Sequence, residues 1–363
     1  MKFNYFMPTE IYFGRGAIEN NKDAMIKLGS KALIVTGKSS SKQNGSLKQV
    51  ISALETLNIE YAIFDDVEEN PSLETIEIAA SLGKKLEVDF IIGIGGGSPL
   101  DASKAVALFI KNPQINKNNV FTSEKLQSIP VVAVPTTSGT GSEVTPYSIV
   151  TVHNEKTKKN LGQSIFPAIA YVDSSYTDNA PYAITVNTSV DAFTHLVESY
   201  LNRNATILSD TYAEKGFEIF KFCFESLIKK ELTEEFREKV MFASLLGGIA
   251  IAQSGTSLPH GMGYALTYYK NLPHGLANGV LTVEYLKSFK NKDKIIKMLN
   301  ILGIGDLEDL KGIFNSLFQV DIKLSPQDVT EYASNFAQNK SKLKNHPEEV
   351  SIKVIEDIYR NSL

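Results

Sequence analysis

The stretch VDFIIGIGGGSPLDASKAVALFI (residues 88–110) constrains the fold more than any other. It opens as a short apolar, β-branched run, which fits a buried strand. Gly95, Gly96 and Gly97 follow, and three glycines allow a tight turn and close approach of a ligand to the backbone. The remainder has a helical pattern that Ser98 can cap and Pro99 can begin. A strand running through glycines into a helix aims free amides and the positive end of the helix dipole at an anion beyond the turn. The letters match neither GxGxxG nor a Walker A motif, because no Lys-Ser or Lys-Thr pair follows the glycines. A strand–helix turn without a ligand fits them as well. Asp101, in the first helical turn, can complement the dipole or accept hydrogen bonds from a ribose or an amide.

The same rhythm runs through the first half. KALIVTG (31–37), EYAIFDDV (60–67) and IPVVAVPTT (129–137) read as strands, while 45–58 and 72–87 repeat apolar residues at helical spacing. Strands alternating with helices imply a mainly parallel sheet covered on both faces. After about Pro181 the strand-like runs stop and long helical patterns take over. The expected fold class is therefore α/β for an N-terminal dinucleotide-binding domain (1–176) and all-helical for a C-terminal domain (177–363).

Composition narrows the function classes. A chain of 363 residues with 37 basic and 41 acidic side chains has no strongly basic block, so a nucleic-acid surface has no support. Cys223 is the one cysteine, which excludes an intrachain disulfide and a cysteine zinc cluster, and in its run of phenylalanines it reads as packing. The N-terminal residues lack a long apolar segment, and no run reaches the length of a membrane-spanning helix. A cytoplasmic protein, with no membrane partner, is the expectation.

A second polar concentration, AVPTTSGTGSEVTPYS (133–148), follows a strand and carries Thr136, Thr137 and Thr140. It reads either as a plain Ser/Thr/Gly loop or as a hydroxyl-lined wall for a polar ligand at the C-terminal edge of the sheet. The first strand ends in VTGKSSSKQNG. In a dinucleotide fold a loop in this region meets the adenosine ribose, where an acid favours the free 2′-hydroxyl of NAD. Gly37, Lys38, Ser39 and Ser40 offer no acid, which tolerates or favours the 2′-phosphate of NADP; a solvated turn would look similar.

Five histidines are present. Asp191 and His195, spaced i,i+4 in AITVNTSVDAFTHLVESYL (183–201), point from one helix face into the same volume, beside a core stripe of Val190, Phe193, Val197 and Tyr200. His260 and His274 each follow a proline and precede a glycine, which places each near a chain bend. Singly, each imidazole reads as a buried, hydrogen-bonded side chain, and Asp191 with His195 reads as an intrahelical pair as readily as a ligand pair. Together, one carboxylate and three imidazoles suit Fe²⁺ or Zn²⁺, not the all-oxygen shells of Ca²⁺ and Mg²⁺. His153 and His346 lie in polar stretches and read as surface residues. No GxSxG elbow or HExxH motif competes.

GIGGGSPLDASKA, VPTTSGTGSEVTPYS, DAFTHLVESY and the pair PHGMG/LPHGLANG together resemble the iron-containing (group III) alcohol dehydrogenase family, most of all its butanol and 1,3-propanediol dehydrogenase-like members. The resemblance runs from FGRGA (13–17) to the last histidine motif. It implies an active site in a cleft between the two domains, with Asp191, His195, His260 and His274 binding iron, or zinc, and serving catalysis. It implies that Gly95, Gly96, Gly97 and Ser98 bind the pyrophosphate, that Thr136, Thr137 and Thr140 line the cofactor, and that Asn70 and a lysine contact it. That lysine is Lys159, with Lys158 open in KTKKN. It further implies NADP at Gly37 and Ser39, and hydride transfer to or from a small alcohol or aldehyde. The segment SLPHGMGYAL departs from many members after the metal histidine, which leaves the substrate wall open. Arginines are few and mostly stand outside the motifs, which favours a small neutral substrate over a diacid. Glycerol dehydrogenase-like and maleylacetate reductase-like chemistry are the alternatives on this scaffold, and a non-catalytic nucleotide- and metal-binding protein is a third. The expected assembly is a homo-oligomer, most simply a dimer.

Overall fold

KALIVT is apolar at almost every position, and it forms a strand buried on both faces in the interior of a parallel sheet, next to one edge. The computed structural model describes residues 3–363. The four expected runs form β2 (Lys31–Thr36), β3 (Glu60–Phe64), β4 (Phe90–Gly95) and β5 (Val131–Pro135). Two further strands, β1 (Glu10–Phe13) and β8 (Ile169–Val172), complete a sheet of order β1-β8-β5-β4-β2-β3 with every neighbour parallel. Alternate side chains go to opposite faces. Leu33, Val35 and Ile91 join one core, whereas Ala32, Ile34, Phe90, Ile92 and Ile94 join the other. The helices α1 (Ala17–Asn21), α2 (Ser40–Gln43), α3 (Ser46–Thr56), α4 (Leu73–Leu86) and α5 (Gly97–Lys111) form the connections, with α4 and α5 supplying the first core and α3 the second. A separate antiparallel hairpin joins β6 (Ile149–Val152) to β7 (Thr157–Asn160).

The sheet unit comprises residues 7–180, and residues 181–363 form a helical unit that residues 3–6 also join. The sequence boundary at 176/177 falls inside a 3₁₀ turn, Ser174–Thr177, that remains with the sheet. The reason is polar: the Asp173 carboxylate accepts from the Gly16 and Ser175 amides at 2.7 and 2.8 Å, and Tyr176 packs into the second sheet core. Residues 3–6 attach to the helical unit through Gln253, which exchanges hydrogen bonds with the Phe6 backbone at 3.1 and 2.9 Å.

The helical unit contains α6 (Tyr182–Tyr200), α7 (Ile207–Lys229), α8 (Glu234–Ser254), α9 (Leu258–Lys270) and α10 (His274–Ser288). Five shorter helices follow: α11 (Asp293–Leu302), α12 (Leu307–Leu317), α13 (Pro326–Ala337), α14 (Lys340–Leu343) and α15 (Ile352–Ser362). From Val190 onward α6 is buried on every side, so it is the central rod of this unit. Phe193 meets Phe217, Phe220 and Phe224 of α7 and Phe314 of α12 edge-on, with ring centroids 5.0–6.1 Å apart. Cys223 is buried in the same cluster, where desolvation pushes its thiol up to about 12, so it packs as a small apolar group. No single helix among the described residues is long and apolar enough to cross a membrane.

Phe193→Ala removes the hub of this aromatic cluster and is expected to destabilise the helical unit by roughly 3–5 kcal/mol. A urea titration followed by circular dichroism should show the lowered midpoint.

Candidate metal centre and cofactor loops

Three elements bring the acid and the imidazoles together. Asp191 and His195 stand one turn apart on α6, His260 lies in the first turn of α9, and His274 is the first residue of α10. One ligand atom from each of Asp191, His195 and His260 lies within 4.8 Å of the others, and all three residues are buried. The His195 and His260 rings stack with centroids 4.3 Å apart, and the His274 ring meets that of His260 edge-on at 5.4 Å. His274 Nε2 stands 3.8 Å from Asp191 Oδ1 on the more exposed side of the cluster. His260 Nε2 is 3.4 Å from the same oxygen, and it is buried without a hydrogen-bond partner among the described residues.

The electrostatics fit a cation. Burial alone would raise the Asp191 carboxyl, but His195, His274 and His260 outweigh it and hold the group well below the usual carboxylate range. Burial disfavours a charged ring at His260, yet the carboxylates of Glu198 and Asp191 push the imidazole up to about 9. A buried acid and several imidazoles with a ligand nitrogen left unpaired suit a divalent transition metal.

Glycines allow the close packing that assembles this cluster. A Cβ on Gly275 would fall 1.9 Å from Asn187 O and 2.9 Å from the Asp191 Cβ, so the start of α10 lies directly against α6. On α8, a Cβ on Gly247 would come within 3.3 Å of the His195 Cβ. Asn278, one turn after His274, donates to Asp191 Oδ1 at 3.1 Å and stands 3.4 Å from His274 Nε2.

Sequence reasoning missed Asn278 and Glu198. Glu198 is fully buried on α6 and contacts His260 Nδ1 directly. Its signal was available: positions 191, 195 and 198 follow i, i+4, i+7 on one helix face. His346 departs from its surface assignment. It is buried, with its ring 4.5 Å from that of Phe289 and 5.7 Å from that of Tyr285, and desolvation lowers its imidazole to about 4. His153 is exposed.

In the sheet unit, the expected cofactor residues gather on the C-terminal ends of the strands. Gly95 of β4 pairs with Pro135 of β5, and the Thr136 amide donates to Gly95 O at 2.9 Å. A Cβ on Gly96 would meet Thr137 Oγ1 at 3.1 Å, and one on Gly97 would meet the Thr140 methyl at 2.7 Å. The glycine loop and the threonine loop are thus pressed side by side. The helix cap is Gly96, not Ser98, which lies inside the first turn and accepts from the Asn70 amide at 3.0 Å. Pro99, two residues past the first helical position, still forfeits no intrahelical hydrogen bond there. Asn70 is in the left-handed region, φ 57°, where asparagine is favoured among non-glycine residues.

Two sets of expected cofactor residues have partners within the protein. Lys158 is the lysine that reaches Asn70, donating to Oδ1 at 3.2 Å from a buried position, while Lys159 pairs with Glu155 on the more exposed side of the hairpin. The carboxylate of Asp101 is occupied within the protein: it accepts from Ser142 Oγ at 2.6 Å and from the Ile149 amide at 2.9 Å. The fully buried Lys104 donates to Ser142 Oγ and Tyr147 O at 2.7 Å each, so α5 and the threonine loop are clamped together. Gly37 follows β2 with Ser39 at the start of α2, and the loop's lysines find acids from the next strand end, Lys38 with Asp66 at 2.8 Å and Lys42 with Asp65 at 2.5 Å.

The chain is similar to known proteins along its whole length. Residues 8–174 match the family described as iron-containing alcohol dehydrogenase, and residues 185–363 match its C-terminal counterpart. The chain is 31% identical over 352 residues to an NADPH-dependent butanol dehydrogenase of Clostridium saccharobutylicum, covering 93% of this chain and 89% of the relative. It is 32% identical to the lactaldehyde reductase of Escherichia coli K12, over 74% of this chain and 71% of that protein. A solved iron-containing alcohol dehydrogenase from Thermotoga maritima superposes with a TM-score of 0.93 at 38% identity, covering 100% of this chain and 99% of the other. The chain belongs to the iron-containing alcohol dehydrogenase family.

Gly275→Ala is expected to lower metal content by forcing α10 away from Asp191, which elemental analysis of the purified variant would show. In the sheet unit, Glu143 is buried and desolvation pushes its carboxyl up to about 7. The folded chain therefore keeps a proton that the unfolded chain releases from its ordinary value of 4.5 upward, so this group's contribution to stability falls as pH rises through that window. Glu143→Gln abolishes the titration, and its melting temperature should gain on wild type between about pH 5 and about pH 8.

Proposed function

We propose that this chain is a metal-dependent alcohol dehydrogenase or aldehyde reductase that transfers a hydride between NADP(H) and a small primary alcohol or aldehyde. The observation that carries this reading is the convergence of Asp191, His195 and His260 within 4.8 Å, with His274 beside them. Those four residues would hold Fe²⁺, with Zn²⁺ as the alternative. The ion, when bound, supplies Lewis acidity toward a substrate oxygen. The nicotinamide supplies or accepts the hydride.

The chain's own residues do the holding and the aligning. Asp191 contributes the negative charge that offsets the cation, and Asn278 restrains its Oδ1. His274, on the more exposed side, is the ligand closest to where a small molecule would enter. Gly95, Gly96, Gly97 and Ser98 would receive the pyrophosphate at the start of α5, where the unpaired amides and the helix dipole favour an anion. Thr136, Thr137 and Thr140 would line the cofactor from the neighbouring loop. Lys158, which donates to Asn70 Oδ1, would be the cofactor-contacting lysine, and Asp101 ties α5 to the threonine loop and to the start of β6 through Ser142 and the Ile149 amide.

NADP is favoured over NAD at Gly37 and Ser39. The loop itself carries no carboxylate, and the pairs made by Lys38 and Lys42 are solvent-exposed, hence weak and easily exchanged for a phosphate. The Clostridium relative is NADPH-dependent, which supports this choice. A cytoplasmic location fits a chain whose one cysteine is a free, buried thiol.

Two experiments test the reading. Chelator-treated protein should lose NADPH-dependent reduction of butyraldehyde and recover it with Fe²⁺ under anaerobic conditions. Full activity without metal would contradict it. Gly37 has room for a side chain, since a Cβ there meets Val67 O at an ordinary 3.4 Å. Gly37→Asp should therefore shift the ratio of kcat/KM toward NADH by about tenfold or more, or ~1.4 kcal/mol.

A further inference from the structure

Behind His260 lies a further carboxylate, outside the group of metal-ligand candidates. Glu198 shares its helix face with Asp191 and His195 but stands one step deeper, with no exposure to solvent. One of its oxygens accepts from the Ser257 amide at 2.5 Å, and the other accepts from the His260 amide at 3.2 Å and faces His260 Nδ1. Ser257 is the residue before α9, its own side chain makes no cap, and Pro259 occupies the second helical position without an amide hydrogen. The carboxylate of Glu198 thus replaces the missing N-cap of α9 from another helix, at the end where the dipole favours negative charge. The loop entering α9 is also tied from outside, where Lys342 of α14 donates to Thr256 Oγ1 and acts electrostatically on Glu198.

We propose that Glu198 is a positioning residue for the metal centre: by accepting from Nδ1 it fixes the His260 ring with Nε2 turned toward Asp191 and His195 as the ligand atom. The Ser257 and His260 amides already donate to its two oxygens, so as a carboxylate it acts as acceptor, and a protonated ring nitrogen at Nδ1 completes that set. That leaves Nε2, which lies 3.4 Å from Asp191 Oδ1, as the nitrogen aimed at the metal. A carboxylate behind a metal-bound histidine also raises the basicity of that ligand. The same group sets the start of α9 and the orientation of the ring, so helix placement and ligand orientation are one event. The proposal rests on the metal-centre reading given above.

The test uses the full chain and Zn²⁺ as probe, with affinities from chelator competition. Glu198→Gln must turn a donor amide toward either the Ser257 or the His260 N–H, and it is expected to weaken Zn²⁺ binding about 10–100-fold. Glu198→Asp keeps the charge but withdraws it by one methylene, and should fall between the two. Phe220→Leu, in the aromatic core away from the metal residues, serves as the control for general destabilisation and should bind Zn²⁺ as wild type does. In ¹⁵N-histidine spectra the metal-free wild type should show an exchange-protected His260 Nδ1 proton that Glu198→Gln loses. Wild-type Zn²⁺ affinity in Glu198→Gln, or an equal loss in Phe220→Leu, would overturn the proposal alone. Failure of the wild type to bind Zn²⁺ would overturn the metal-centre reading and this proposal with it.

Discussion

The starts of α9 and α10 are arranged around one face of α6. A buried helix of this kind usually carries apolar side chains on all sides, and α6 does so along Val190, Phe193, Val197 and Tyr200. On its remaining face it carries Asp191, His195 and Glu198 instead. Burying these groups is unfavourable unless each finds a partner, and the starts of α9 and α10 are what they find. Asp191 meets three imidazoles and Asn278, while Glu198 meets His260 and the first amides of α9. The polar face therefore specifies where two other helices begin.

That dependence explains the residues around the histidines. Pro259 and Pro273 stand at the entrances of α9 and α10, where proline is compatible with a helix start. Gly275 follows His274 because any side chain there would collide with the α6 backbone. The proline–histidine–glycine motif is thus a packing device as much as a chemical one. Proline sets the turn, histidine faces the acid, and glycine permits the approach. In the sheet unit the same economy of side chains appears at Gly96 and Gly97, which accept the threonine loop as their direct neighbour.

Much of this was legible before any coordinates. The four apolar runs between 31 and 137 became strands because fully buried parallel strands announce themselves as continuous hydrophobic segments. β1 was hidden because it is short and part-exposed at a sheet edge, and β7 because TKKN has a strand's geometry without a strand's composition. The Asp191–His195 spacing gave the metal face, but His260 and His274 reach it only through tertiary packing, which no local pattern encodes. The two neighbouring lysines of the hairpin could not be told apart because alternation in a strand decides which one turns inward, and the register fixing that alternation is set by the pairing of β6 with β7. His346 looked like a surface residue because its neighbours in sequence are charged, while its neighbours in space are Tyr285 and Phe289.

The central claim is that the imidazoles and the carboxylate of this polar face form a single metal-binding shell. X-ray absorption at the iron edge of the anaerobically loaded protein tests it most directly. The expected spectrum shows one first shell of nitrogen and oxygen with the outer-shell scattering of several imidazoles, and it loses an imidazole contribution in His260→Ala. A first shell without imidazole scattering, or one unchanged by that substitution, would place the iron elsewhere and contradict the account.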